Sequence, residues 1–342
     1  MKAIVISRHG GREQLEVTTT KAPPRKERAI VRVRAVALNH LDVWLRRGVP
    51  GHVFPLPMIP GSEVSGIIEW LPDGAEGWAV GDEVIVAPGI SCALCAACLS
   101  GNDQLCLRFG VFGESENGGC AEEIAAPVRN LFRKPPGLSF AEAAAAPLDF
   151  LTAWHMLVAR AELREGETVL VHAGGSGVGS AAIQIARLWG AKVIATAGSS
   201  RKTELAAALG AHHTVNYSEH DFLAEVRTIT GRRGVDVVVE HVGADTFDRS
   251  LRALARGGRL VTCGATTGGD VRINLNLVFF KLLSILGSTM GSLRELREIM
   301  THLESGKLRP IVDTTLPLEQ VAEAHRLIEE RLLFGKVVLT VQ

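Results

Sequence analysis

The sequence has no excess of charge of either sign and no long hydrophobic run. Lysine and arginine together number 37, aspartate and glutamate also number 37, and the formal net charge is zero. Such a balance argues against nucleic acid or an anionic membrane as the main partner, so neither is expected. No apolar stretch reaches the roughly 20 residues that a membrane-spanning helix needs.

The amino-terminal stretch MKAIVISRHGG lacks the long apolar region and the cleavage site of a signal peptide, and it starts with a strand-like pattern. We therefore expect a cytoplasmic protein. Cysteine is scarce, and four of the six residues fall in one short segment: Cys92, Cys95, Cys98 and Cys106. In a reducing compartment such clustering favours a metal site over disulfides. Cys120 and Cys263 are expected to be small buried residues.

The spacing of the four clustered cysteines is typical of a tetrahedral zinc site. Four thiolate ligands leave no open coordination position, so the site would be structural rather than catalytic. The alternative, four free thiols in one loop, would place reactive groups together without a purpose. We predict one zinc per chain in a lobe over residues 88–110, where it stabilises a segment that is poor in apolar residues.

The segment from Thr168 to Lys202 has the pattern strand, glycine-rich turn, helix, strand. In that context the amides at the helix start and the helix dipole bind a pyrophosphate, so the segment predicts a dinucleotide site. Ser176 replaces the middle glycine of the usual fingerprint. The residues predicted to surround the cofactor here are Gly174, Gly175, Ser176, Gly177, Val178 and Gly179.

The end of the second strand of this unit bears on the choice of cofactor. NAD-selective sites carry an acidic residue there, about 20 residues beyond the turn, for the ribose hydroxyls. This chain has Gly198, and hydroxyls and cations follow it: Ser199, Ser200, Arg201 and Lys202. Without the carboxylate a 2′-phosphate is not repelled, and the following groups can donate to it, which predicts NADP(H). An ordinary helix start with a serine cap explains the same residues.

Two kinds of secondary-structure pattern divide the chain. Residues 1–130 read as short strands separated by glycine and proline, which is typical of a compact, barrel-like β domain. From about residue 165 strands and helices alternate, which predicts a doubly wound parallel sheet. The strand-like run 282–287 is apolar on both faces and reads as the last strand of that sheet. An unprotected edge of this kind predicts a homodimer or homotetramer.

Several motifs resemble, in order, those of one family. They are NHLD at 39–42, PGSEVSG at 60–66, GDEV at 81–84, the four cysteines, LTAWHML at 151–157, GGSGVG at 174–179, ILGSTM at 285–290 and GKVVL at 335–339. On these motifs the whole chain resembles the medium-chain dehydrogenase/reductases, which include zinc alcohol dehydrogenases and quinone oxidoreductases. The resemblance implies an α/β chain with a GroES-like substrate domain (1–130 and 289–342), a Rossmann domain (131–288) and an active site between them.

The resemblance also shows where this chain departs from the zinc alcohol dehydrogenases. The three positions that hold their catalytic metal are Asn39, Ser62 and Leu148 here, and the proton-relay hydroxyl position is Leu41. Only Glu63 keeps its type. These groups bind zinc poorly, and the pattern looks like the quinone oxidoreductase branch. A rebuilt metal site remains an alternative, with ligands drawn from Glu63, Asp149 and either His40 or His155.

Without zinc, hydrogen bonds would have to stabilise negative charge on the reduced substrate. The predicted catalytic residues are Asn39 and Thr152 as donors and Asp42, which orients Asn39 or relays a proton. A purely structural helix cap explains Asp42 equally well. Further cofactor contacts are expected at His40, which alternatively is a solvated loop histidine, and at Thr289 and Lys336. Trp44, Phe112 and Phe150 are candidates for the pocket wall or for plain core.

Three functions are compatible with these residues. The first is an NADPH-dependent reductase of a quinone, an enone or another activated double bond in a small-molecule substrate. The second is an alcohol or aldehyde dehydrogenase with a rebuilt zinc site, which metal content per subunit would distinguish from the first. The third is a non-catalytic NADPH-binding protein, which turnover with any acceptor would exclude.

Overall fold

The structure, a computed structural model, describes residues 1–341. The chain forms two compact units, of which the first comprises Met1–Leu148 together with the residues from Ser292 onward. The second unit comprises Asp149–Gly291. No helix of the described residues has both the length and the apolar character needed to cross a membrane.

The strands in chain order are β1 (Lys2–Val5), β2 (Glu16–Thr19), β3 (Ala29–Ala37), β4 (Glu63–Trp70), β5 (Glu83–Val86), β6 (Gly89–Ile90), β7 (Gly110–Val111), β8 (Glu123–Ala126), β9 (Leu131–Arg133), β10 (Thr168–Val171), β11 (Lys192–Ala197), β12 (His213–Asn216), β13 (Val235–Glu240), β14 (Leu254–Thr262), β15 (Ser284–Gly287), β16 (Val312–Pro317) and β17 (Lys336–Thr340).

The α-helices in chain order are α1 (His40–Arg47), α2 (Ala96–Leu99), α3 (Phe140–Ala144), α4 (Pro147–Trp154), α5 (Gly177–Leu188), α6 (Ser200–Ala208), α7 (Phe222–Ile229), α8 (Phe247–Ala253), α9 (Leu275–Lys281), α10 (Leu293–Glu304) and α11 (Val321–Glu329). A π-helical turn, His155–Arg160, follows α4, and short 3₁₀ turns lie at Arg12–Gln14, Asp103–Leu105, Val128–Asn130 and Leu318–Gln320.

The first unit is built on a seven-stranded sheet. Its path is β16-β17-β3-β4-β5-β9, and β8 also pairs with β3. Strand β17 comes from the carboxyl-terminal part of the chain and pairs antiparallel with β3, in the register Val338 opposite Ala37. The two ends of the chain therefore share one core, as the resemblance implied. This pairing also places Lys336 beside the amino-terminal strands.

The first unit extends beyond the predicted limit at residue 130. Strand β9 pairs with β5, with Ile85 opposite Phe132, and so belongs to the sheet of the first unit. The hydroxyl of Ser65 on β4 donates to the carbonyl of Phe140, which ties α3 to the same sheet. The Pro135-Pro136-Gly137 turn therefore lies inside the unit. At the other end the first unit resumes at Ser292 rather than at residue 289.

The second unit is a six-stranded sheet in the order β12-β11-β10-β13-β14-β15. All neighbouring strands in it are parallel. This is the 3-2-1-4-5-6 order of the Rossmann fold, and it confirms the predicted fold class. Its core is formed by apolar residues of the inner strands, among them Leu170, Ile194, Val238 and Leu260. Helices α7, α8 and α9 lie in the part of the chain where the sequence predicts alternating strands and helices, without bounds for these three helices.

Candidate active site

Asp42 ties helix α1 to the loop before β4. Its Oδ2 accepts the backbone N–H of Asn39 at 2.7 Å, and its Oδ1 accepts the N–H of Gly61 at 2.7 Å. Burial of this fully enclosed carboxyl raises its pKa to about 6, although its hydrogen bonds act in the opposite direction. Each carboxyl oxygen of Asp42 therefore accepts a hydrogen bond from a backbone amide. The geometry favours the capping interpretation of Asp42, with Asn39 oriented through its main chain.

The half-buried side chain of Asn39 closes a ring with two buried charged residues. Its Nδ2 donates to Glu63 Oε2 at 2.9 Å, and its Oδ1 accepts from Lys336 Nζ at 2.5 Å. Lys336 Nζ also lies 2.6 Å from Glu63 Oε2. Glu63 is completely buried and Lys336 is 4% exposed. We call these three residues the Asn–Glu–Lys ring.

The sheet register explains why these residues meet. Strand β3 ends at Ala37, two strands pair with it there, and Asn39 lies two residues further along the chain. Glu63 is the first residue of β4 and Lys336 the first residue of β17. The other oxygen of Glu63 accepts the N–H of Leu148 at 2.7 Å, so both carboxylate oxygens are bonded. Removing either partner of such a pair would leave an uncompensated charge in the protein interior, which is strongly destabilising.

The Glu63–Lys336 ion pair was missed by the sequence analysis, which treated Glu63 only as a possible metal ligand and Lys336 only as a cofactor contact. The sequence contains only a weak signal for this ion pair. Each residue is charged and opens an apolar strand, EVSGII and KVVL, which is where a buried charge needs a partner. Their opposite signs make them candidates for one another.

The other predicted residues of this region fall into two groups. Ser62, beside Glu63, is fully buried, and its hydroxyl has no hydrogen-bond partner within residues 1–341. His40 is exposed, with its ring 6.2 Å from that of Trp44. Within the second unit, four predicted residues are buried on helix α4 and on the turn after it: Asp149, Phe150, Thr152 and His155. The structure thus brings Asn39, Asp42, Glu63 and Lys336 into one cluster, and Thr152 belongs to the other unit.

The glycine-rich turn of the second unit joins β10 to α5. The N–H of Gly174 donates to the carbonyl of Thr196 at 2.8 Å, which holds the turn against β11. Ser176 caps α5, because its Oγ accepts the N–H of Gly179 at 2.9 Å. A Cβ on Gly179 would lie 2.2 Å from the carbonyl oxygen of Ala173, so only glycine allows this close approach. The turn leaves the first amides of α5 as the natural binding site for a pyrophosphate.

The end of β11 holds the residues that would meet the adenosine ribose. Ser199 caps α6 by accepting the N–H of Lys202, and Arg201 is exposed. A Cβ on Gly198 would lie 2.7 Å from the hydroxyl of Tyr217. Tyr217, the only tyrosine of the chain, was not part of the predicted site. Its position directly after β12, the strand beside β11, is the signal that could have pointed to it.

The cysteine lobe belongs to the first unit. The Sγ atoms of Cys92, Cys95, Cys98 and Cys106 all lie within 4.8 Å of one another. The separation is 3.8 Å between Cys92 and Cys98, and 3.5 Å between Cys95 and Cys98. Tetrahedral zinc with bonds of about 2.3 Å places its sulfur ligands about 3.8 Å apart, so the four thiols fit this metal. Cys120 is buried elsewhere and Cys263 is half-buried.

Two family models match the chain, one within its first unit and the other over most of its second unit and on to residue 305 of the first. The "Alcohol dehydrogenase GroES-like domain" matches residues 25–136 and the "Zinc-binding dehydrogenase" domain matches residues 177–305. The chain is 30% identical to the quinone oxidoreductase of Homo sapiens over 348 residues, which covers 99% of this chain and 97% of the relative.

Solved structures give the same result. A structure described as an NAD-dependent alcohol dehydrogenase has 50% identity and a TM-score of 0.96, and all of both chains is covered. The crystal structure of AibC has 37% identity and a TM-score of 0.90 over 99% of this chain and 95% of that one. The predicted resemblance is therefore confirmed. The chain belongs to the medium-chain dehydrogenase/reductase superfamily, is quinone oxidoreductase-like, and is an NAD(P)H-dependent oxidoreductase.

Proposed function

We propose that the protein is an NADPH-dependent reductase of a quinone, an enone or another activated double bond, and that it works without a catalytic zinc. The observation that carries this proposal is the Asn–Glu–Lys ring. By the family resemblance, this ring takes the place at which the zinc alcohol dehydrogenases hold their catalytic metal. In this chain the cation at that place is the ammonium of Lys336, 2.6 Å from Glu63.

The side chains at the three metal positions do not suit zinc. The amide of Asn39 uses its oxygen to accept from Lys336 and its nitrogen to donate to Glu63. Ser62 offers a neutral hydroxyl, and Leu148 offers no side-chain ligand. Glu63, the anionic member of the ring, is already neutralised by the ammonium of Lys336. A divalent cation would have to displace that ammonium and would gain none of the Cys or His ligands that zinc prefers.

A site of this kind suits conjugated acceptors. When bound, the nicotinamide supplies the hydride. The chain must then stabilise the negative charge that develops on an acceptor oxygen, and fixed hydrogen-bond donors do this well. The Nδ2 of Asn39 carries two hydrogens and donates one to Glu63, so we assign the second to the substrate oxygen. Thr152 is proposed as a further donor, and Glu63 and Lys336 hold the Asn39 amide in position.

The proposed activity is tested by NADPH oxidation with matched acceptors. We expect turnover with quinones and with an α,β-unsaturated ketone, and little with the saturated ketone or aldehyde of the same skeleton. A saturated carbonyl concentrates the charge on one oxygen, where a metal ion would contribute several kcal/mol of stabilisation. Faster reduction of the saturated compound than of the conjugated one would contradict the proposal.

The preference for NADPH is supported by the end of β11. No carboxylate stands there to repel a 2′-phosphate. Ser199 caps α6, Arg201 and Lys202 lie in the first turn of that helix, and Tyr217 follows the end of β12. We expect NADPH to bind at least tenfold tighter than NADH, a difference of about 1.4 kcal/mol. Charge-assisted hydrogen bonds of about 1.5–3 kcal/mol each are sufficient for this.

The double variant Arg201→Ala, Lys202→Ala should lose most of that preference and keep its affinity for NADH. Dissociation constants for both cofactors, from nicotinamide fluorescence, measure the effect. Arg233→Ala, which removes an exposed arginine on the loop before β13, is the matched control and should change neither constant. Equal affinities of the unmodified protein for NADPH and NADH would contradict the cofactor assignment.

We also propose that the four thiols hold one structural zinc per chain. We propose in addition that the protein is cytoplasmic, because thiols stay reduced in that compartment. Replacing Cys98 with serine should lower the zinc content to below one per chain and lower the melting temperature. Cofactor affinity should be retained, because the turn that binds the cofactor lies in the other unit. Metal analysis together with thermal denaturation measures this, and Cys263→Ser is the control. Zinc content that is unchanged in the Cys98 variant would contradict the assignment.

We propose a homodimer or homotetramer that uses the edge of the second unit's sheet. Strand β15 pairs only with β14 among the described strands. Apolar side chains are exposed on β15, on the neighbouring helix α9 and on the residue that caps α9: Leu275, Phe279, Phe280, Leu282 and Ile285. An edge of this kind pairs readily with a symmetry mate. Ile285→Lys should shift sedimentation toward the monomer, and Val53→Lys, at a site 90% exposed in the first unit, should not. A monomeric unmodified protein at micromolar concentration would contradict the proposal.

One observation favours a second function. The 50% identical structure is described as an NAD-dependent alcohol dehydrogenase. By that reading this chain would oxidise alcohols with a metal held by Glu63, Asp149 and a histidine. It predicts a second zinc per chain and activity that a chelator abolishes, and these results would distinguish it from the first function.

A further inference from the structure

A buried polar network lies at the start of the glycine-rich turn. His172, the residue after β10, is 1% exposed. Its Nδ1 lies 3.1 Å from the Oγ1 of Thr196, and its Nε2 lies 2.9 Å from the Oγ of Ser250. Ser250 in turn donates to Glu240 Oε2 at 2.7 Å. The network thus runs from the end of β11, through the imidazole, to the end of β13.

Glu240 sets the direction of every hydrogen bond in this network. Its fully buried carboxylate accepts from Ser250 and Thr246 and from the backbone N–H groups of Val242 and Gly243. Although burial acts to raise it, the pKa of Glu240 is held below its usual value by the hydrogen bonds from Ser250, Val242 and Gly243. An ionised carboxylate only accepts, so the hydroxyl hydrogen of Ser250 points to Glu240.

The tautomer of His172 follows from that direction. Because the Ser250 hydroxyl donates its hydrogen to Glu240, its oxygen must accept from the imidazole, and the ring therefore carries its hydrogen on Nε2. Burial lowers the pKa of His172 to about 4, so the ring is neutral at pH 7 and Nδ1 has no hydrogen. Nδ1 therefore accepts from Thr196. The serine is buried and its hydrogen is not directed at the imidazole, which excludes a nucleophilic Ser-His-Glu triad.

The other end of the network holds the turn itself. The Thr196 Oγ1, whose hydrogen points to His172, accepts the N–H of Ala173 at 3.3 Å. Ala173 has a φ of 45°, in the left-handed region that costs energy for a residue with a side chain. His241 Nε2 donates to the carbonyl of His172 at 2.8 Å. Three strand ends are therefore joined at the carboxyl edge of the sheet, where this fold binds its cofactor.

We propose that His172 is a positioning residue for the cofactor. As the Nε2–H tautomer it orients the hydroxyl of Thr196 to accept from Ala173, and so holds the glycine-rich turn in the conformation that presents its amides to the pyrophosphate. The inference rests on the role of this turn in nicotinamide cofactor binding. It does not depend on the choice between NADPH and NADH, because both carry the same pyrophosphate.

Thr196→Val tests the proposal with almost no change of shape. It leaves the N–H of Ala173 without its acceptor, so we expect the competent conformation of the turn to fall to about a tenth of the molecules and both cofactors to bind about tenfold more weakly. Turnover at saturating cofactor should be unchanged. Thr214→Val, the same substitution on the neighbouring strand β12, is the matched control. Equal affinities in the two variants, or a fall in saturated turnover without a change in affinity, would overturn the proposal.

Two further measurements address the imidazole directly. Nitrogen-15 NMR at pH 7 should show His172 with a protonated Nε2 and an unprotonated Nδ1, and a protonated Nδ1 would overturn the assignment. His172→Asn keeps a short side-chain acceptor near the Nδ1 position and should bind the cofactor more tightly than His172→Leu does. Equal affinities of these two variants would show that the acceptor is irrelevant. If NADPH and NADH bind the unmodified protein equally, only the proposed NADPH preference fails.

Discussion

Replacing Lys336 with methionine should destabilise the protein by about 3–5 kcal/mol, because it leaves the carboxylate of Glu63 buried without its cation. Methionine preserves most of the length and volume of lysine, so little of the loss would come from packing. Glu63 is completely buried and Lys336 is 4% exposed, which leaves water no access to compensate for the missing charge. Urea denaturation monitored by circular dichroism gives the free energy of unfolding, by linear extrapolation to zero denaturant.

The chain offers a matched control for this substitution. Lys2 pairs with Glu319 at 2.5 Å, close to the Lys336–Glu63 separation, but the two side chains are 49% and 47% exposed. Lys2→Met should therefore leave the free energy of unfolding nearly unchanged, because solvent screens such pairs. Adding Glu63→Gln to Lys336→Met should restore much of the lost stability. Equal effects of Lys336→Met and Lys2→Met would show that the ring does not carry a buried ion pair.

Asn39→Ala should lower the turnover number about 100-fold, the lower end of the range for removing one donor to a developing negative charge. The loss should not be larger, because Thr152 and backbone amides remain as proposed donors. Glu63 and Lys336 still lie 2.6 Å apart and can stay paired, so the variant should fold and bind NADPH. Steady-state kinetics with a quinone, alongside the dissociation constant of NADPH, separate the chemical step from binding.

The control for that loss is Asn276→Ala, which changes an exposed asparagine of α9 in the other unit. It should leave both the turnover number and the NADPH affinity as they are. If Asn39→Ala kept full turnover, Asn39 would have no part in the mechanism. If it lost turnover only in proportion to lost NADPH affinity, its role would be in cofactor binding instead.

The cofactor half of the protein was predictable because its signals are local. The turn residues Gly174 and Gly179 lie between a strand and a helix within one short segment, and the steric demand on Gly179 follows from that segment alone. The cysteine lobe was equally accessible, since a C-x2-C-x2-C spacing brings ligands together without any long-range contact.

The chemistry of the Asn–Glu–Lys ring was less accessible because it depends on distant strands. Asn39 and Lys336 are almost 300 positions apart and meet only because β17 and β4 both pair with β3. Periodicity places each strand but does not give their register. The same reason explains the boundary at Leu148, since the assignment of β9 depends on its pairing with β5.

The central claim, that a hydrogen-bonded ring takes the place of a catalytic metal, is tested most directly by zinc stoichiometry and activity in one preparation. We expect one zinc per chain, and we expect NADPH-dependent reduction of a quinone or enone to continue at an undiminished initial rate after treatment with a chelator that removes accessible metal. Two tightly held zincs per chain, together with oxidation of simple alcohols that the chelator abolishes, would contradict the account.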